Sequence, residues 1–398
     1  MANNNFMKGK WAKVFLADVI DSAPYIKASK SYFAAQLKGK KVGDNCYCVL
    51  RDSGKVTDGL AIKSGDIKDI DEKQVKITLK NKKNCVALDV LEEITEIEDF
   101  KTEIADTYGV HLGAEIQKDV IASTIFDAST ASVNSNGWVA LSQAIAHLKA
   151  SRVGGKIVGF LDPVAESTLS VNALNNWHFN LTPQGQKMYA DASIGTFQQA
   201  EFVYANDIPV IEGKTLSLTP TAVTQNDADG TVTLTVSAVS SAIPAGTPLT
   251  VEGAYACNIV GMKTNKPFAF IVQEDVQAGG TTIKLGRVEV TECGARNCYI
   301  EGVVEIADLV GKAFTNMLTD GTKYYVAQVR NTDALAFENV EMADLKGAEN
   351  TSVTIGGIKL KVTAHGDYNE MENNTRWDIA YGAKIVDNRM ASLAYMEI

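Results

Sequence analysis

The sequence predicts an α+β chain that carries an inserted all-β domain, and three features of its 398 residues lead to this prediction. Apolar residues recur at every fourth position over residues 100–120, which is the spacing of one helix face. Short segments on both sides alternate apolar and polar residues, as strands with one buried face do. Between residues 214 and 297 the composition changes to alternating threonine and valine. At roughly 150 residues per domain, the length allows two to three domains.

Residues 1–42 are predicted to form a basic N-terminal arm. Their apolar spacing indicates a helix over residues 9–37 that is interrupted at Pro24. Residues 1–43 hold eight lysines against two aspartates, a net charge of +6 that leaves −16 for the remainder. Such an arm either contacts an acidic partner or sister subunit, or is a solvated helix with its lysines outward. The lysines predicted at a subunit interface are Lys8, Lys10, Lys13, Lys38, Lys40 and Lys41.

Residues 43–88 are predicted to form a long extended hairpin. Strands are indicated at CYCVL (46–50), KQVKITL (73–79) and VALDV (86–90), with a basic turn, NKKN, before the last of them. The stretch between the first two strands is polar and rich in turn residues, so it has little apolar surface to bury at home. We expect this hairpin to contact a neighbouring subunit. Its acidic interface candidates are Asp66, Asp69, Asp71 and Glu72.

Residues 89–213 are predicted to hold a long helix and the first part of an α/β platform. The four-residue repeat gives a helix of about 25 residues, with Asp99 as its N-cap. GWVALSQAIAHLKA (137–150) has one apolar face, KIVGFL (156–161) is a buried strand, and Asp162-Pro163 begins a further helix.

Residues 214–297 are predicted to form an inserted β-barrel domain that folds alone. Several short strands lie close together, and dipeptides such as Asp229-Gly230 specify the turns. Residues 298–398 are predicted to complete the platform and a peripheral domain, with a helix at 301–318 followed by β segments.

Few patterns in the sequence could carry chemistry. His111, Glu115 and Asp119 share one helix face, but no matching histidine-carboxylate pair accompanies them, so a solvated or subunit-facing polar stripe is the favoured interpretation. Gly213-Lys214-Thr215 lacks the earlier glycine of a phosphate-binding loop. The six cysteines form no disulfide framework and no C-x-x-C pair. We therefore predict no enzyme activity, no metal and no cofactor.

Net charge and hydropathy argue against three further classes of protein: those that wrap nucleic acid, those that span a membrane and those that are secreted. A net charge of −10 argues against wholesale wrapping of nucleic acid. No stretch approaches the roughly 18 apolar residues of a membrane span, and the N-terminus lacks a signal-peptide core, so a soluble cytoplasmic product without membrane association is expected.

Three stretches resemble the major capsid protein of tailed bacteriophages, which has the Hong Kong 97-type fold. KQVKITLKNKKNCVALDVLEEITEIEDFKTEI resembles the return strand of that family's extended loop running into its spine helix. IVGFLDPVAESTL with SIGTFQQAEFVYANDIPVI resembles its platform domain, and RWDIAYGAKIVDNRMASLAYMEI its closing strands. The order of elements is most similar to the coat proteins of short-tailed phages that carry an inserted β-barrel.

The resemblance implies a structural role. Family members assemble through pentamers and hexamers into icosahedral shells that enclose the genome, so the expected partners are further copies, scaffolding and portal proteins, and DNA held without sequence specificity. The expected location is the virion capsid, after assembly in the host cytoplasm. The alternative is a non-viral or tail-associated protein whose inserted barrel recognises a glycan or another protein. The insert has few aromatic residues for such a recognition surface, namely Tyr255, Phe268 and Phe270, and the spacing of the two phenylalanines is that of core residues.

Overall fold

The computed structural model describes residues 2–32, 37, 39–50, 73–89, 106–174, 194–226, 228–292, 294–367 and 372–397. The fold is α+β, with strands predominating. The helices are α1 (Ala2–Asp21), α2 (Pro24–Lys27), α3 (Asp106–Thr124), α4 (Gly137–Ala150) and α5 (Pro163–Leu174), with 3-10 helices at Ile306–Leu309 and Asn388–Met390.

The strands share no single sheet. They are β1 (Asn45–Leu50), β2 (Lys73–Thr78), β3 (Lys80–Asp89), β4 (Thr130–Asn134), β5 (Ile157–Leu161), β6 (Thr196–Phe197), β7 (Ala200–Tyr204), β8 (Val210–Glu212), β9 (Ser217–Leu218), β10 (Ala222–Gln225), β11 (Thr231–Thr235), β12 (Pro248–Val251), β13 (Ala254–Cys257), β14 (Lys263–Pro267), β15 (Phe270–Ile271), β16 (Thr282–Arg287), β17 (Cys298–Ile300), β18 (Phe314–Asn316), β19 (Lys323–Asn331), β20 (Leu335–Val340), β21 (Glu349–Ile355), β22 (Ile358–Asp367), β23 (Glu372–Ile385) and β24 (Ala391–Glu397).

The chain divides into two compact units. The first unit comprises Met1–Cys46, Ile77–Ser123 and Ala336–Lys384, and the second comprises Tyr47–Lys76, Thr124–Leu335 and Ile385–Ile398. In the first unit the strands run in the order β20-β23-β22-β21, and β3 also pairs with β23. The predicted long helix is present as α3, which begins at Asp106, while the predicted cap at Asp99 lies outside the described residues.

The basic turn predicted at NKKN is wrong. Residues 81–84 belong to β3, which pairs antiparallel with β23 without interruption from Lys80 opposite Tyr381 to Asp89 opposite Glu372. The polar side chains there have partners within the same unit, and the Asn81 amide donates to the Asp378 carboxylate at 2.9 Å. A local turn signal is therefore overridden by pairing with a strand almost 300 residues away.

The second unit contains a mixed sheet in the order β4-β24-β19-β5-β7-β6, with β8 also paired to β19. Strands β4 and β24 run parallel, as do β5 and β7. Helix α4 buries one face, and its start is capped by Asn136, whose side chain accepts from the Trp138 N–H at 3.1 Å. The core of this layer also includes Leu141, Ile145 and Leu148 of α4. The predicted helix 137–150, strand 156–161 and capped helix at Pro163 are thus present.

The segment predicted as an inserted barrel is all-β, but its described strands form no closed barrel. They form three open sheets, ordered β10-β11-β16, β15-β12-β18-β9 and β14-β13-β17. One continuous core lies among them, with Phe268, Phe270 and Phe314 in edge-on ring contacts of 4.8 and 5.0 Å. The strands are two to six residues long, and the inner strands β11, β12 and β13 each pair with two neighbours of their own sheet.

The helix predicted over residues 301–318 is also wrong. This stretch holds one 3-10 turn, Ile306–Leu309, and then the strand β18. Gly302 and Gly311 have positive φ angles of 76° and 77°, which an α-helix does not allow. Strand β18 lies between β12 and β9 and pairs antiparallel with both, so tertiary pairing decides its conformation.

The core of the insert extends past the predicted boundary at residue 297. Val303, Leu309 and Phe314 are buried in it, and β18 joins two of its strands. We therefore expect an excised fragment 214–318 to unfold cooperatively on heating, and a fragment 214–297 to give no cooperative transition. Circular dichroism and amide NMR dispersion measure both. A cooperative melt of the shorter fragment would mean that β18 is dispensable and that the boundary at 297 holds.

A buried polar network ties the closing 3-10 helix to the insert, within the second unit. The Arg389 guanidinium donates to the Asp387 carboxylate from Nε at 2.9 Å and from Nη2 at 2.7 Å. Its Nη1 donates to the backbone carbonyls of Asn258, Gly294 and Arg296 at 3.2, 2.6 and 3.2 Å. Burial favours the neutral form of Asp387, but the adjacent Arg389 charge lowers the pKa of that carboxyl below its usual value.

Candidate assembly surfaces

The arm lysines lie in two settings. Lys8 and Lys10 belong to α1, and Lys13 on the same helix is exposed. The Lys40 ammonium is half-buried and donates to the Asn45 carbonyl at 3.1 Å. Lys41 is exposed, and its backbone N–H donates to the Asp44 carboxylate at 2.7 Å. Other predicted interface residues, namely Lys38, Asp66, Asp69, Asp71 and Glu72, lie outside the described residues.

The described part of the arm is anchored in the first unit. Phe15 of α1 stacks on Trp377 of β23, with ring centroids 4.9 Å apart and an interplanar angle of 9°. Further along, the fully buried Glu338 carboxylate accepts hydrogen bonds from the Ser31 hydroxyl at 2.8 Å and the Tyr32 N–H at 2.6 Å. The helix predicted over 9–37 therefore ends earlier than expected, because residues 28–32 leave the helical path to reach β20.

Strands β1 and β2 pair with each other and form a two-stranded ribbon at the base of the predicted extended hairpin. The inner side chains are buried: Cys46, Cys48, Val75 and Ile77. On the outer face of β1, Tyr47 is 42% exposed and Val49 is 37% exposed. This part of the hairpin therefore packs within its own chain, while its outer face presents apolar side chains to solvent.

The ribbon is also held by an ion pair inside the second unit. The Lys73 ammonium lies 3.5 Å from the Glu289 carboxylate, and the Glu289 side chain is only 4% exposed. A buried carboxylate of this kind needs a partner, so the pair holds Lys73 of β2 against Glu289.

Glu115 and Asp119, two residues of the polar stripe on α3, face strand β3. The sequence did not predict this contact. Glu115 lies 3.7 Å from the Lys82 ammonium, and Asp119 forms an ion pair with Lys80. The Tyr381 hydroxyl donates to the same Asp119 carboxylate at 2.5 Å. Burial would raise the pKa of Asp119, but the hydrogen bonds from Lys80 and Tyr381 lower it below its usual value. The signal available in the sequence was the run of lysines at alternate positions in β3, at 80 and 82.

The aromatic residues of the insert are mostly core. Phe268 and Phe270 are each 1% exposed, as their spacing predicts. Tyr255 is half-buried, and the Lys263 ammonium lies 4.1 Å from its ring centroid and 4.7 Å from that of Tyr299. The face of the Tyr255 ring is therefore already covered by a cation of the same chain.

Two other kinds of feature are absent from the described part of the chain. No cluster of three or more metal-ligating side chains occurs there. Among those same residues, no helix combines the length and the apolar character that crossing a bilayer would require.

No family model and no curated protein matches the sequence. Solved structures are similar in fold over most of both chains. A structure described as Mycobacterium phage Che8 has 11% identity and a TM-score of 0.46, and covers 92% of this chain and 88% of its own. The capsid of Ralstonia phage GP4 has 9% identity and a TM-score of 0.45, covering 90% and 85%. The capsid structure of the cyanophage P-SCSP1u has 10% identity and a TM-score of 0.42, covering 92% and 85%. The structures similar to this α+β chain thus include phage capsids.

Proposed function

We propose that the chain is a structural major capsid protein that assembles into the icosahedral shell around a viral genome. The observation that carries the proposal is the β1–β2 ribbon, whose inner face is buried while Tyr47 and Val49 are exposed on its outer face. Exposed neighbouring apolar side chains on a paired ribbon favour burial against another protein surface. We infer that this surface is a neighbouring copy, because the sequence of β2 and β3 resembles the return strand of the capsid family's extended loop.

A shell gives such a ribbon a partner on every subunit. Each contact can be weak, because repetition across many copies makes the particle stable as a whole. In this proposal the acidic candidates Asp66, Asp69, Asp71 and Glu72 and the arm lysines contribute charged contacts between copies. The fold similarity to capsid structures is consistent with this proposal but is not its basis.

The same proposal covers organisation, partners and location. The domain division is an arm at 1–42, a hairpin at 43–88, a platform that begins at 89 and resumes after the insert, and an insert that begins at 214 and whose core includes Phe314. The chain forms pentamers and hexamers, meets scaffolding and portal proteins during assembly in the host cytoplasm, and encloses DNA in the virion without reading its sequence. Its role is structural and not enzymatic. The alternative of a glycan-recognising insert is weaker, because Phe268 and Phe270 are buried and Tyr255 already faces Lys263.

Electron microscopy of the purified full-length chain tests this proposal. We expect closed shells or curved sheets in negative stain, formed alone or after co-expression with a scaffolding partner, and fast-sedimenting species in analytical ultracentrifugation. Salt and protein concentration are varied, because weak repeated contacts assemble only above a threshold concentration. A chain that stays monomeric under every one of these conditions would contradict the proposal.

A further inference from the structure

An open cleft of about 550 Å³ lies in the second unit, in the size range of small-ligand sites. Helix α4 contributes Gln143 and His147 to its wall, and β14 contributes Asn265 and Lys266. The remaining lining side chains come from β4, the end of β14 and the segment after β18: Ala131, Ser132, Val133, Pro267 and Met317.

The charge of this cleft has one sign. Lys266 is its cation, and no carboxylate is among the residues that line it. The Lys266 residue is half-buried, and its ammonium forms no ion pair with any carboxylate in the described part of the chain, whereas Lys284, at the surface of the same unit, pairs with Glu274 at 2.8 Å. An ammonium that lines a cleft without a counterion favours the binding of an anion.

His147 adds an unsatisfied polar group to the same wall. Its side chain is 8% exposed, and its Nδ1 has no hydrogen-bond partner among the described residues. Burial and the nearby Lys266 charge lower the pKa of His147 to about 4, so the imidazole is neutral at pH 7 and keeps one N–H to donate. The Nδ1 atom itself is fully buried, so a group bound in the cleft would meet the part of the imidazole that lines it.

The apolar part of the lining decides which kind of anion fits. Pro267 and Met317 offer hydrocarbon and thioether surface, and Ala131 and Val133 add to it. A fully hydrated inorganic ion gains no binding free energy from such apolar surface. A carboxylate on a short alkyl chain gains binding free energy from both the charged and the apolar part of the cleft. The hydroxyl of Ser132 does not compete, because it already donates within the chain, to the Ala140 carbonyl at 2.7 Å.

We propose that this cleft binds a carboxylate carried on a short aliphatic chain, with Lys266 as its counterion and the neutral His147 and the amides of Gln143 and Asn265 as hydrogen-bonding groups. The same chemistry is available from a free small carboxylate and from an aspartate or glutamate side chain of a second copy. The body of the chain beyond residue 43 has a net charge of −16, so a second copy offers many such groups.

Equilibrium dialysis of radiolabelled hexanoate against the full-length chain tests the site. We expect saturable binding of one hexanoate per chain, no competition by uncharged hexanamide, and about tenfold or greater weakening in Lys266→Met, since the charged partner is removed. Lys263→Met is the matched control on the same strand, because Lys263 faces Tyr255 and Tyr299 and should leave binding unchanged. Binding that is absent in the wild type, or equal in both variants, would overturn the proposal.

Comparison of dilute monomer with associated chain separates the two sources. If both states bind hexanoate, the natural ligand is a free carboxylate. If only the monomer binds it, and association displaces bound hexanoate, a carboxylate of the second copy occupies the cleft. If neither state binds it, the site does not exist. Because the monomer measurement does not depend on shell formation, its failure would be distinct from failure of the proposed capsid function.

Discussion

Replacing Arg389 by methionine is expected to destabilise the second unit by about 3–5 kcal/mol, because removal of one partner leaves a buried charge uncompensated. Arg389 and Asp387 have side chains only 3% and 6% exposed, and Arg389 also donates to three backbone carbonyls. The melting temperature of the unassembled chain should fall by roughly 5–15 °C in scanning calorimetry. Lys284→Met is the control, since its pair with Glu274 is exposed and contributes at most about 1 kcal/mol.

The loss of stability in Arg389→Met is expected to depend on pH. In the wild type the pKa of Asp387 is lowered by Arg389, so its stabilising contribution is present above the unfolded pKa and is lost as pH falls through the folded value. In the variant the backbone N–H of residue 389 and the Arg287 charge still favour the charged carboxylate, but the loss of the Arg389 guanidinium raises the pKa of Asp387 above its wild-type value, so the folded state is penalised at neutral pH and relieved in acid. The difference in unfolding free energy between the wild type and Arg389→Met should therefore be largest near pH 7 and become smaller toward pH 4. The further change Asp387→Asn should recover part of the loss, and a difference independent of pH would contradict this account.

The second large effect is expected on assembly. Replacing Tyr47 and Val49 by serine should abolish shell formation while leaving the monomer's melting temperature nearly unchanged. Both side chains are exposed, so their loss costs the fold little, within about 0.5 kcal/mol each. In the proposed shell they are buried against a neighbouring copy, and a small loss per contact is multiplied over the particle. Light scattering and negative-stain microscopy follow assembly, and calorimetry follows the fold.

A matched pair controls for the general loss of exposed apolar surface. Val164 and Val171 are 57% and 53% exposed and lie seven residues apart, on one face of α5. Their replacement by serine should leave assembly intact. Equal impairment by both pairs would show that the effect is not specific to the ribbon, and normal shells from Tyr47→Ser/Val49→Ser would exclude the ribbon as a subunit contact.

The candidate surface itself was only partly predictable. Charge alone correctly places the Lys13 and Lys41 side chains at the surface. The exposed face of β1 was missed because CYCVL is apolar at every position, so its period of two cannot tell which set of side chains is buried. The two cysteines face inward and Tyr47 and Val49 face outward, which is decided only by what the chain places beneath the ribbon.

The sequence by itself determined the helices whose apolar spacing repeats over several turns or whose start is marked by neighbouring residues. Helices α3 and α4 follow from their apolar spacing and α5 from Asp162-Pro163, and the last part of the chain was correctly predicted to be rich in β segments. Tertiary structure alone decided residues 81–84 and 314–316, which become strands because partner strands remote in the chain satisfy their backbone hydrogen bonds. It also decided that the insert forms open sheets around one core, and that Arg389 donates to three backbone carbonyls remote in the chain. The reason is that periodicity reports which face of an element is buried, while pairing between remote segments depends on the whole chain.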